Sequence, residues 1–184
     1  MPVLHWKPLL TAGLCSGLVQ VTAGVTMYVA GVYFAPWSGL VSLALLAAAV
    51  VVGLKWYVTH VLDRRITYVA ALLAGVAIAV VTGLVYVTYN VISVTLVYPH
   101  FLDDMARARF AAIQTGGADP AQAADLLASL RARTTLAGVV AANLRAFCFF
   151  GTAISALVAI GLRYAFPPRP REARPMGSRG AAAI

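Results

Sequence analysis

Long uncharged runs alternate with short charged stretches along this chain. Residues 8–54 contain no Asp, Glu, Lys or Arg, and neither do residues 66–98. A helix over 66–98 would be roughly 50 Å long at ~1.5 Å per residue. That exceeds the ~30 Å hydrocarbon core of a bilayer. The run 8–54 suffices for two crossings, and Pro36, which lacks the amide proton a helix interior needs, marks the break. Trp37 beside it suits the headgroup layer. The pattern predicts four spans, at about 9–34, 39–57, 66–98 and 134–162.

Small residues recur within these spans. Ala71, Gly75, Ala79 and Gly83 fall every fourth position of the third, giving a smooth strip that a neighbouring helix can approach closely. Gly13, Gly17, Gly24 and Gly31 suggest a similar face on the first. The apolar run behind Lys7 is too long for the 7–15 residues of a cleavable signal, so an uncleaved first span is expected.

The segment 99–133 has a different period. Phe101, Leu102, Met105, Ala108, Ala112 and Ile113 repeat at helical spacing, and Asp103 and Arg107 sit four apart, where they can pair. Gly116-Gly117 should stop this helix. Asp119-Pro120-Ala121-Gln122 has the form of a helix start, and Leu126, Leu127 and Leu130 give a second apolar stripe. The fold class expected is therefore all-α. It is an integral membrane four-helix bundle over residues 1–164, with an amphipathic helical hairpin between spans three and four. Residues 165–184, rich in Pro and Arg, read as a disordered basic tail.

Composition supports this class: 61% of the 184 residues are hydrophobic and 11% charged, against about 25% charged in soluble domains. The formal charge of +8 does not form a compact basic face, which argues against nucleic acid. With both termini inside, nine cations lie on the inner side: Lys7, Lys55, Arg64, Arg65, Arg163, Arg169, Arg171, Arg174 and Arg179. Four, Arg107, Arg109, Arg131 and Arg133, lie outside beside Asp103, Asp104, Asp119 and Asp125. The positive-inside bias thus predicts cytoplasmic termini and an extracytoplasmic insert. The basic tail would meet anionic lipid.

Candidate chemistry is sparse. No carboxylate lies within a predicted span, and nucleotide loops, zinc motifs and serine elbows are missing. His60 with Asp63 is too few ligands for a metal centre, and His100 with Asp103 and Asp104 reads as a solvated helix start with its acids near the positive end. Cys15 and Cys148 sit in apolar segments and form no disulfide framework. No enzymatic activity, catalytic residue, cofactor or metal is expected. The one polar constellation is Gln20, Tyr86, Asn90, Asn143 and Arg145. It reads either as an interhelical hydrogen-bond network or as an outward-facing pocket for an anionic headgroup held by Arg145; that arginine can also snorkel to the interface. Two functions follow: a non-enzymatic scaffold or accessory subunit, packing against a membrane-protein partner or a second copy through small-residue faces or the outer insert, or a small carrier or lipid-binding protein.

Two close spans, a charged loop ending at Asp63-Arg64-Arg65, a long third span, a polar insert opening with Tyr98-Pro99-His100-Phe101-Leu102 and a last span with a basic end make a recognisable layout. From about residue 9 to residue 164 it resembles the bacterial four-span family described as a domain of unknown function, number forty-one ninety-nine. The resemblance implies a four-helix membrane protein and brings no activity or site residues with it.

Overall fold

The computed structural model describes residues 5–62, 66–114 and 123–165. The loop cations Arg64 and Arg65, the Gly116-Gly117 stop, the Asp119–Gln122 helix start and the basic tail lie outside the described residues. What is described is all-α: α1 Trp6–Val29, α2 Ser38–His60, α3 Tyr68–Ile92, α4 Phe101–Gln114, α5 Ala123–Arg133 and α6 Leu136–Ala165. A single π-helical turn, Ser93–Val97, extends α3. α1, α2, α6 and α3 with its extension are each long and apolar enough to cross a membrane.

The central element is α3. It touches the other three long helices, and 44% of its most apolar stretch is buried, against 22–28% in the others. The fourfold spacing of small residues explains this. A Cβ on Gly75 would stand 2.6 Å from Ser155 Oγ, one on Gly83 2.9 Å from Phe147 Cβ, and one on Gly151 2.5 Å from Ala79 Cβ. Each step of four along α3 is answered by a step of four back along α6, so the two antiparallel helices meet backbone to backbone. On its other side α3 runs parallel to α1, with Gly13 and Gly17 set against Val81 and Val85. Thr82 Oγ1 donates to the Gly13 carbonyl at 3.2 Å, a bond that requires this close approach. The small-residue faces are therefore consumed inside the chain. At Gly13, Gly17, Gly75 and Gly83 the close approach expected of these faces comes from helices of the same chain.

Gly31 has another role. α1 ends at Val29 rather than continuing to residue 34, because Gly31 adopts φ +72°, a left-handed conformation that ends the helix at little steric cost. The connection to α2 is thus residues 30–37, longer than the tight turn expected at Pro36. It places Tyr33 and Phe34 beside Tyr28 at one end of the bundle.

At that end the insert is seated by one aromatic side chain. Phe101, the first residue of α4 and 6% exposed, lies 5.4–5.6 Å from the rings of Tyr28, Tyr33 and Phe34. Tyr28 Oη also donates to Asp104 Oδ2 at 3.1 Å. Asp103 ties the hairpin together, accepting from Arg107 within α4 and from Arg131 of α5, each at 2.6 Å. At the opposite end the His5 amide donates to Tyr57 Oη at 3.0 Å, closing α1 onto α2. Cys15 and Cys148, in apolar segments, face outward.

Candidate functional site

The most site-like feature is a cleft of about 470 Å³ between the first half of α2 and the first half of α6. Leu40, Leu43 and Leu46 form one wall; Asn143, Ala146, Phe147 and Phe150 form the other; Tyr33 and Tyr86 stand at the back. Leu40 and Phe150 on its lining are exposed, so the cleft is open and not enclosed. Tyr33 and Pro36 of the 30–37 connection and the first residues of α2, Ser38 and Gly39, also line it.

The polar groups around the cleft are largely satisfied by one another. Gln20 Nε2 donates to the Ser42 carbonyl at 2.9 Å, and Ser42 Oγ donates to Gln20 Oε1 at 3.0 Å. This two-way clasp joins α1 to α2, and Gln20 is 2% exposed. Tyr33 and Tyr86 share a hydroxyl–hydroxyl bond of 3.0 Å. Burial, reinforced by Tyr86, pushes the Tyr33 phenol well above its ordinary value, so it stays neutral. The cleft therefore presents mostly hydrocarbon to an occupant, with Asn143 and Ser38 as polar points on its lining.

The sequence-predicted polar residues divide into separate groups. Tyr86 and Asn143 line the cleft. Gln20 stands behind its wall, bonded to Ser42. Asn90 is 4% exposed and faces a second, much smaller cavity that Tyr33 and Tyr86 also line. Arg145 stands apart: it is exposed, and its Nε donates to the Ala141 carbonyl of its own helix at 3.1 Å. The distance along α6 from Arg145 to Ala165 is about 30 Å at 1.5 Å per residue, one hydrocarbon thickness. That length suits an arginine at the membrane edge, reaching phosphates. Among the described residues, no group of three or more His, Cys, Asp or Glu side chains could hold a metal.

Sequence reasoning missed Tyr33, Ser42 and the leucines of α2. Tyr28, Tyr33 and Phe34 around Gly31 were the available signal, an aromatic cluster about a glycine that reads better as a turn than as helix. Ser42 and the leucines carry no pattern that separates a cleft wall from a lipid-facing surface.

These features define an all-α, multi-pass membrane protein whose insert is docked on one end of the bundle. The family model described as a protein of unknown function (DUF4199) matches residues 11–163, and the chain belongs to that family. No curated protein and no solved structure matches it.

Proposed function

We propose that this chain is a non-enzymatic bacterial inner-membrane protein that binds the apolar tail of a membrane lipid in the cleft between α2 and α6. The observation that carries the reading is the cleft itself: about 470 Å³, lined mostly by apolar side chains, with exposed Leu40 and Phe150 among them. Ligand pockets commonly measure ~300–1,000 Å³. In a bilayer the available filler of such an apolar opening is an acyl chain. The exposed guanidinium of Arg145, one position from the cleft-lining Ala146, suits an anionic headgroup above that tail. The proposed orientation puts both termini in the cytoplasm and α4–α5 outside, with the basic tail against anionic lipid.

The test uses phosphatidylglycerol bearing a diazirine on its acyl chain, in phosphatidylethanolamine vesicles containing the purified protein. Photolabelling should concentrate on Leu43, Leu46, Phe147 and Phe150 and be lost there in the double variant Leu43→Trp/Ala146→Trp. Labelling on the outer face of α1, at Leu14 and Leu18, should persist. Equal labelling of both surfaces in both proteins refutes the reading. A cysteine replacing Gln114, in a chain with Cys15→Ser and Cys148→Ser, should react with an impermeant maleimide on intact cells; protection there refutes the orientation.

A second reading, a scaffold or accessory subunit, is favoured by the insert, where Arg107, Arg109, Arg131, Arg133 and Ile113 are exposed around a hairpin fixed by Asp103. A stoichiometric membrane-protein companion, recovered in mild detergent and lost on replacing these arginines, supports it. Recovery of the chain alone counts against it.

A further inference from the structure

Asn90 and Ser93 lie one helical turn apart on α3, where the π-helical turn begins. They are 4% and 5% exposed, and neither Asn90 Nδ2 nor Ser93 Oγ has a hydrogen-bond partner in the protein. Local backbone groups are engaged elsewhere. The Tyr89 and Asn90 carbonyls take the Ser93 amide, and the Ser93 carbonyl takes the Tyr98 amide at 2.7 Å. Thr82, Thr95 and Ser155 each donate back to the carbonyl four residues earlier; Ser93 does not. Beside the two orphaned groups is a cavity of about 20 Å³, with Gly24, Tyr28, Tyr33, Tyr89 and Phe101 also on its lining. One water needs roughly 10–15 Å³ and at least two polar partners. No charged side chain lines the cavity.

We infer that Asn90 and Ser93 form a buried binding site for one neutral oxygen atom, which accepts from Asn90 Nδ2 and pairs with the Ser93 hydroxyl under the roof made by Phe101. The size admits one oxygen, and the surroundings favour a neutral one. Its source is either a water molecule or the hydroxyl of an amphipathic lipid. The second source rests on the cleft reading, because Tyr33 and Tyr86 line both spaces; the first stands without it.

The experiment places the full chain in nanodiscs of phosphatidylglycerol and phosphatidylethanolamine and follows the Asn90 side-chain amide by NMR. A cross-peak to water with slow exchange assigns the oxygen to water. A cross-peak to headgroup protons that is lost in Leu43→Trp/Ala146→Trp assigns it to lipid. Either supports the site, and a cross-peak to neither overturns it. Thermal melting of Ser93→Ala gives an independent sign. Removing a partnered hydroxyl should lower the midpoint by roughly 2–4 °C. Removing an unpartnered one relieves a desolvation penalty, so a midpoint at or above that of the unsubstituted protein overturns the site.

Discussion

Replacing Gly151 with alanine adds one methyl group at the tightest point of the α3–α6 seam. That Cβ would lie 2.5 Å from Ala79 Cβ, whereas carbon atoms in contact prefer ~3.5–4.0 Å. The shortfall is about 1–1.5 Å by that measure, and Ala79 Cβ is fixed to its own backbone and cannot rotate away. The helices must therefore part, loosening Gly75 from Ser155 and Gly83 from Phe147 along the same seam. Overpacking of this kind costs about 1–3 kcal/mol. At ~2–4 °C per kcal/mol for a chain of this size, the melting midpoint should fall by roughly 2–12 °C. Gly161 on the same helix is the control. Nothing lies within 4 Å of a Cβ there, and alanine is the better helix former by up to ~1 kcal/mol, so Gly161→Ala should be neutral or slightly stabilising. Fluorescence-detected size exclusion after heating in mild detergent reads both. The double variant Gly151→Ala/Ala79→Gly moves the methyl across the seam and should recover most of the loss. If Gly151→Ala melts with the unsubstituted protein, or the double variant melts no higher than the single one, the account of this seam is refuted.

Gln20→Leu removes both bonds to Ser42, at ~0.6 kcal/mol each in membranes, and should lower the midpoint by a few degrees in the same assay. Phe101→Ala should raise hydrogen exchange in α4 while leaving α1 and α3 protected; equal protection of α4 in both proteins would refute the seating of the insert by this ring. The Tyr33 phenol is held above the ordinary tyrosine value of 10.0, so the folded state retains a proton that the unfolded chain releases. Its contribution to stability is complete below about pH 10 and is lost as pH rises beyond that value. Alkaline unfolding midpoints should therefore fall less steeply with pH in Tyr33→Phe than in the unsubstituted protein, and identical slopes would count against the burial argument.

How far the fold could be read from the chain depends on which features leave a periodic trace. Uncharged length reveals spans without any knowledge of their neighbours. The fourfold spacing of Ala71, Gly75, Ala79 and Gly83 reveals a face that must be approached closely, though not whether the approaching helix belongs to the same chain. Gly31 shares the sevenfold spacing of Gly17 and Gly24, yet it ends the helix, because periodicity contains no dihedral angle. The candidate site was less legible. The cleft lies between α2 and α6, a relation between segments about a hundred residues apart. Gln20 is recognisable as a residue in need of a partner, but nothing along the chain indicates Ser42. Arg145 illustrates the opposite difficulty: its chemistry attracts a functional role, while its exposure is decided by the phase of α6.

The π-helical turn at Ser93–Val97 fits one residue more into its hydrogen-bonded loop than an α-helical turn would. Winding the same five residues as ordinary α-helix would advance everything downstream by one residue's rotation, ~100°. Phe101 would then swing out of reach of Tyr28 and Tyr33, even with the composition of the insert unchanged. The docking of α4 is thus a question of angular phase, and in this stretch the way the residues are wound matters as much as their identity.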